Sequence, residues 1–114
     1  MVKVFTSMIA YSEDDRMDIT FATTDMLGKI FAPTREMVMG IKLNTITKEQ
    51  YLVKYKALLE DSRKRYPNLW DMVLNFDKVV LCCYCNPNDW CHRRYLAQYL
   101  GILGAEYVKE IYLK

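Results

Sequence analysis

The sequence predicts a small three-layer α/β domain with a mostly parallel central sheet and a C-terminal βαβ unit. The run KVVLCCY (78–84) is continuously apolar and ends at Asn-Pro-Asn, which is typical of a strand buried on both faces. A helical pattern ending at Gly101 follows it, and EYVKEIYL (106–113) then predicts a final strand. Two strands joined through a helix in this way are expected to be parallel, with a right-handed crossover.

The N-terminal part of the chain predicts shorter elements. The run VKVFTSMIA (2–10) is apolar and β-branched, and it indicates a mostly buried first strand whose only hydroxyl groups are those of Thr6 and Ser7. A charged turn follows, and MDITFATT (17–24) predicts a second short strand. Further along, Thr34 is a candidate N-cap for a short helix.

A longer amphipathic helix begins at a capping box formed by Thr47 and Gln50. Apolar residues recur behind it at helical spacing until Tyr66 and Pro67 end the helix. This periodicity favours a core position for Tyr51, Leu52, Tyr55, Leu58 and Leu59. A brief second helix is expected over 69–74.

Length and composition indicate a single α/β domain spanning residues 1–114. The 114 residues are 52% apolar, which is enough to build one core without disulfide or metal cross-links. The formal net charge of +2 lacks the strong basic excess that drives wholesale binding to nucleic acid or acidic membranes. No run approaches the roughly 20 apolar residues that span a bilayer, and no signal peptide pattern is evident. We therefore expect a cytoplasmic protein without membrane association, and no cofactor is predicted.

The four cysteines and the only histidine are concentrated in one stretch, from Cys82 to His92. Neighbouring residues such as Cys82 and Cys83 point to opposite faces of a strand, and a domain with its own core in a reducing compartment does not depend on disulfides. The cysteines are therefore expected to be reduced.

This stretch is expected to lie at the carboxyl end of the sheet, where ligands bind in open α/β folds. Asp89 is a candidate N-cap for the following helix, whose first amides and dipole favour an anion or a thiolate. Helical spacing places Arg93 on the same apolar stripe as Leu96 and Leu100. A buried guanidinium there needs a carboxylate, carbonyl groups or a ligand as partner. Arg94 is expected at the surface.

Three chemical interpretations remain open for this stretch. In the first, Cys91 is a nucleophile activated by the helix N-terminus, His92 and Arg93, although helical spacing turns Cys91 away from Arg93. In the second, zinc is bound by Cys83, Cys85, Cys91 and His92; the residue types fit, but structural sites usually draw on two separated pairs of ligands. In the third, these side chains are only structural, which we favour for Cys82. A ligand-binding or catalytic site without metal is favoured for a group of four residues, Cys85, Cys91, His92 and Arg93.

The run LCCYCNPNDWCHRRYLAQYL (81–100) resembles the signature of the domain of unknown function 488 family. In that family an apolar strand ending in Leu-Cys is followed, eight residues after the Cys, by Cys-His-Arg and an amphipathic helix. The matching positions here are Cys83, Pro87, Cys91, His92 and Arg93. Where the family often has glutamate, this chain has Cys85. The segments APTREMVMG and ITKEQYLVKY are similar to the short, single-domain variant, and the resemblance implies a cytoplasmic α/β domain with a pocket around the Cys-His-Arg block.

The first functional hypothesis is a pocket protein, an enzyme or enzyme-like, that takes a small anionic ligand such as a nucleotide or phosphorylated metabolite. Arg93 and the helix amides would hold the anion, His92 would transfer protons, and Cys91 would act as nucleophile or as an orienting thiol. Thr6, Ser7, Cys83 and Cys85 are predicted to line the same site. The alternative is a non-enzymatic module that binds nucleic acid or a protein through Tyr66, Trp70, Trp90 and Arg94.

Overall fold

The centre of the computed structural model, which describes residues 1–84 and 92–113, is a four-stranded sheet in the order β2-β3-β1-β4. All of its described pairings are parallel. The α/β fold class is therefore confirmed, and so is the C-terminal βαβ unit, in which both flanking strands pair with β1 between them. The elements are β1 (Lys3–Met8), β2 (Arg16–Asp18), a 3-10 turn (Gly28–Phe31), α1 (Arg35–Lys42), α2 (Lys48–Arg65), α3 (Pro67–Leu74), β3 (Lys78–Cys83), α4 (His92–Ile102) and β4 (Glu106–Ile111).

The strand order determines which face of the sheet the helices cover. The connections from β2 to β3 and from β3 to β4 run in the same direction across the sheet. Right-handed crossovers that run in the same direction lie on the same face, so all four helices share one side. The connection from β1 to β2 runs the other way and belongs on the opposite face. There Arg16 donates to the carbonyl oxygens of Ile9 and Tyr11, at 3.0 and 2.8 Å, which holds this short loop together.

The main core lies between the helices and one face of the sheet. Alternate residues along β1, with Val2 just before it, and along β3 supply the sheet side of this core, namely Val2, Val4, Val79, Leu81 and Cys83. The helices add the predicted core residues Tyr51, Tyr55 and Leu59, together with Trp70, Val73, Leu96, Ala97 and Leu100. Adjacent positions on β3, Val80 and Cys82, are also fully buried but belong to the opposite face.

Several predicted element boundaries are confirmed by their capping contacts. The Thr34 hydroxyl accepts from the Met37 amide at 3.2 Å and begins α1. The capping box of α2 is complete, with the Gln50 amide donating to Thr47 at 3.1 Å and the Thr47 amide donating to the Gln50 side chain at 2.7 Å. The proposed cap Asp89 lies outside the described residues.

Some boundaries differ from the prediction, and two of the differences have a clear local cause. The second strand was expected over 17–24, but β2 ends at Asp18, whose carboxylate accepts from the Thr20 amide at 2.9 Å. This local turn competes with continuation of the strand. The helix α3 begins at Pro67, ahead of the expected start at 69, because proline needs no amide partner in a first helical turn. No helix within the described ranges has both the length and the apolar character needed to cross a membrane.

Gly28 holds the 3-10 turn against the end of β2. A Cβ atom added there would lie 1.9 Å from the Asp18 carbonyl oxygen. The Gly28 amide donates to the Asp25 carboxylate at 3.0 Å, and the Asp18 amide donates to the same carboxylate at 3.3 Å. The close approach of two backbone segments therefore requires glycine at this position.

Replacement of Gly28 by alanine is expected to lower the free energy of unfolding by about 2 kcal/mol or more, because backbone rather than a flexible side chain must move. The matched control is Gly101→Ala in α4, where nothing lies within 4 Å of the added Cβ. That substitution is expected to stabilise the fold by about 0.5–1 kcal/mol through helix propensity. Urea denaturation measures the change in the free energy of unfolding for each variant. Equal changes would contradict the close approach of Gly28 to the Asp18 carbonyl group.

Candidate functional site

Arg93 lies in the first turn of α4 and is fully buried, at 0% exposure. Its Nε donates to Glu110 Oε1 at 3.1 Å and its Nη2 donates to Glu110 Oε2 at 2.9 Å. The carboxylate is itself 8% exposed. Arg93 lies on the apolar stripe of α4 and therefore needs a partner for its charge. That partner is the Glu110 carboxylate of β4, held in a bidentate pair.

The same guanidinium also contacts a thiol. Nη1 of Arg93 donates to Cys83 Sγ at 3.0 Å, and Cys83 is 1% exposed at the last position of β3. The end of β3, the end of β4 and the start of α4 therefore converge on one guanidinium at the carboxyl edge of the sheet. We call Cys83, Arg93 and Glu110 the thiol–guanidinium–carboxylate cluster.

Cys82 has a different environment, although it is adjacent in sequence and equally buried. Its thiol donates to the Val80 carbonyl oxygen at 3.5 Å. Burial raises the pKa of Cys82 to about 11, and the nearby Arg16 only partly opposes this shift. Cys82 is thus a buried thiol on the far face of the sheet, in agreement with its structural interpretation, and it forms no disulfide bond.

His92 sits beside this cluster and is 7% exposed. Its Nε2 lies 3.1 Å from the Ile19 carbonyl oxygen, and because a carbonyl only accepts, Nε2 carries the proton that it donates. The Tyr55 ring packs edge-on at 5.6 Å between centroids. Burial lowers the pKa of His92, and Cys83 and the bond to Ile19 oppose the shift without cancelling it. The imidazole is therefore neutral at pH 7 and joins α4 to the end of β2.

Arg94 was predicted to be a surface charge, but it lies close to the cluster. Its side chain is 30% exposed, and its Nε lies 3.8 Å from Glu110 Oε1. Two guanidinium groups therefore share one carboxylate. The three side chains Arg93, Arg94 and Glu110 carry a net positive charge at the carboxyl edge of the sheet.

The two hydroxyl residues of β1 point to different faces. Thr6 is on the core face and is paired in register with Glu110, and its Oγ1 lies 2.8 Å from the Tyr107 hydroxyl. Ser7 donates to the Ile111 carbonyl oxygen at 3.0 Å on the opposite face. The structure brings Thr6 to the cluster side of the sheet but not Ser7.

Other predicted site residues are placed less directly. Cys85 and Cys91 lie outside the described residues, and so does Trp90. Trp70, expected among the exposed residues of the nucleic-acid- or protein-binding alternative, is 2% exposed; it packs edge-on against Phe31 and donates to Ser62 Oγ at 3.0 Å. That expectation is wrong, because the indole fills the core. Among residues 1–84 and 92–113, no three His, Cys, Asp or Glu side chains are grouped so that they could hold a metal ion.

Glu110 is the site residue that the sequence did not reveal. Strict alternation along β4 would separate Tyr107 and Glu110 onto opposite faces. The pairing with β1 shifts register between Val4 and Phe5, so Tyr107 pairs with Val4 and Lys109 pairs with Phe5. This irregularity turns both Tyr107 and Glu110 toward the core face. The only signal in the sequence was indirect, namely the need of Arg93 for a carboxylate.

The fold and these contacts define an α/β protein with a buried thiol–guanidinium–carboxylate cluster at the carboxyl end of a parallel sheet. Over residues 9–102 the chain matches the family model described as "Active DUF488-N3 subclade" (DUF488-N3a). The chain therefore belongs to the DUF488 family, which confirms the resemblance carried by its Cys-His-Arg block. No curated protein and no solved structure matches it. Glu110 lies beyond the matched segment.

Removal of the Glu110 carboxylate should be strongly destabilising, because it leaves a buried guanidinium without its counter-charge. We expect Glu110→Ala to lower the free energy of unfolding by about 3–5 kcal/mol. The control is Asp61→Ala, which breaks the exposed Arg65–Asp61 pair at 2.9 Å and should cost less than about 0.5 kcal/mol. Denaturation at neutral pH compares the two, and similar small losses would show that the buried pair is not held as described.

Stability should decrease as the pH falls below the usual histidine value of about 6.5. The unfolded chain then binds a proton at His92, whereas the folded chain, with its lowered pKa, does not. The contribution of the neutral His92 to the free energy of unfolding is therefore complete above about pH 6.5. It is lost at lower pH, where the free energy of unfolding falls by up to about 1.4 kcal/mol per pH unit. His92 is the only histidine, so its imidazole NMR signals report the folded-state titration directly. Titration at or above 6.5 would contradict the buried, neutral state.

Proposed function

We propose that the chain binds a small anionic ligand, such as the phosphate group of a nucleotide or phosphorylated metabolite, at the carboxyl end of its sheet. The observation that carries this proposal is the sharing of one carboxylate, Glu110, between Arg93 and Arg94. Among these three described side chains, two guanidinium groups face one carboxylate. Because Arg94 is partly exposed, it is the guanidinium that is available to an incoming anion.

The position of the charge supports the same ligand class. Arg93 and Arg94 belong to the first turn of α4, where the helix dipole adds positive potential. The carboxyl edge of a parallel sheet is also the usual ligand site in open α/β folds. The buried Arg93 then has a supporting role, because its bidentate bond fixes Glu110 and thereby the carboxylate that faces Arg94.

An enzymatic role is the form of this function that the neighbouring groups favour. A neutral imidazole and a thiol lie beside the same arginine, and such groups are suited to proton transfer and nucleophilic chemistry. Cys91 stays a candidate nucleophile and Cys85 a candidate lining residue, and both lie outside the described residues. Under this proposal the anionic part of the substrate binds at Arg94 and its reacting part lies toward Cys83 and His92.

Calorimetric titration of the full chain with inorganic phosphate, and then with nucleoside mono- and triphosphates, tests the proposal. We expect Arg94→Gln to weaken binding by about tenfold, which corresponds to the loss of one charge-assisted hydrogen bond. The matched control is Arg65→Gln, which removes the same charge from an exposed pair on α2 and should leave affinity unchanged.

Absence of any phosphate or nucleotide binding, or equal loss in the Arg94 and Arg65 variants, would overturn the anion-binding proposal. Binding of single-stranded nucleic acid that weakens steeply with added salt, without binding of free nucleotides, would support the non-enzymatic alternative instead.

A further inference from the structure

Cys82 and Cys83 have the same burial but different hydrogen-bond partners. The thiol of Cys82 donates to the Val80 carbonyl oxygen, and the rise in its pKa caused by burial is only partly opposed by the charge of Arg16 and a backbone hydrogen bond at Met17. The sulfur of Cys83 is an acceptor, from the Arg93 guanidinium at 3.0 Å. A donor bond to a carbonyl stabilises the protonated thiol, whereas a bond accepted from a cation stabilises negative charge on sulfur.

The charges around Cys83 determine how strongly its thiolate form is stabilised. The described titratable groups that face Cys83 are Arg93 and His92 from α4, Glu110 from β4 through their common guanidinium, and Cys82 on its own strand. His92 is neutral and Cys82 is protonated. Arg93 is therefore the cation next to the sulfur, and Glu110 is the anion that competes with the sulfur for it.

We propose that Cys83 is a nucleophilic thiol whose ionisation is set by Arg93 and limited by Glu110, and that it attacks an electrophilic carbon or sulfur of the bound ligand. The proposal deepens the proposed function by assigning covalent chemistry to the same site, and it rests on that function only for the identity of the ligand. The sulfur chemistry itself requires no bound anion.

The step needs neither an oxidant nor a metal. The sulfur lone pair forms the new bond as the leaving group departs with its electron pair, and the thiol proton has passed to solvent beforehand. With iodoacetamide as probe, the S–C bond forms, the C–I bond breaks and iodide leaves. With a ligand of the proposed class, an alkoxide, thiolate or phosphate leaves in the same way.

Carbon NMR of Cβ-labelled cysteine in the full chain measures each thiol titration independently of reagent access, with assignments from Cys82→Ser and Cys83→Ser. We expect Cys83 to titrate at least about one pH unit below Cys82, as for a group with an opposite charge at hydrogen-bonding distance. Titration of the two cysteines together would overturn the proposal.

Two variants test the roles of Arg93 and Glu110 through shifts of opposite sign. The double variant Arg93→Met/Glu110→Leu removes both charges without leaving one buried alone, and should move the Cys83 titration up toward that of Cys82. Glu110→Gln removes only the competing anion and should lower the pH at which Cys83 titrates. A change in packing alone gives no reason for opposite shifts, so shifts of the same sign would contradict the proposal. Circular dichroism checks that both variants are folded.

Reactivity is measured by the rate of iodoacetamide labelling at pH 7, located by fragment-ion mass spectrometry. Cys83 should be labelled at least about tenfold faster than Cys82, in line with the higher fraction of thiolate. Equal labelling would reject the nucleophilic role even where the titration differs. Because no phosphate is present in this assay, its failure is distinguishable from failure of the anion-binding proposal.

Discussion

The buried pair between Arg93 and Glu110 is the interaction on which the site depends. It joins the start of α4 to the end of β4, and both partners are almost completely removed from water. Desolvation of two charges offsets most of the Coulomb attraction, so an apolar pair of similar size would serve stability as well or better. The pair is therefore better explained by the position it imposes on a guanidinium, which also donates to Cys83 and lies beside the partly exposed Arg94.

Strand direction and crossover handedness bring these groups together. Because both helical connections run the same way across the sheet, α4 faces the side that carries Leu81 and Cys83. Alternation along β3 then places Cys83 against the Arg93 guanidinium and Cys82 on the opposite face, where its thiol donates to a backbone carbonyl. Two adjacent cysteines of equal burial thus acquire different partners from strand alternation and the position of α4.

The sequence predicted those features that depend on local chemistry. The capping box at Thr47, the buried strand at 78–83 and the need of Arg93 for a partner all follow from spacing and residue type. Glu110 could not be found in this way, because a register shift in β4, rather than strict alternation, turns it inward. The prediction that Trp70 is exposed was wrong because it too depends on a tertiary contact. The indole N–H is satisfied inside the core by a hydrogen bond to Ser62 in α2, and single-sequence periodicity does not report that contact.

The two proposals concern one excess positive charge, and this links them. Among the described side chains of this cluster, Arg93 and Arg94 together exceed Glu110 by one charge, which under the two proposals either a bound anion or a Cys83 thiolate would neutralise. If both proposals hold, the two forms compete electrostatically, and an anion placed at Arg94 favours the protonated thiol. Reciprocity then requires that ionisation of Cys83 weaken anion binding to the same extent. Attack by Cys83 on a ligand held at Arg94 therefore proceeds from the minor thiolate form of the complex, and the negative charge of the ligand lowers the population of that form.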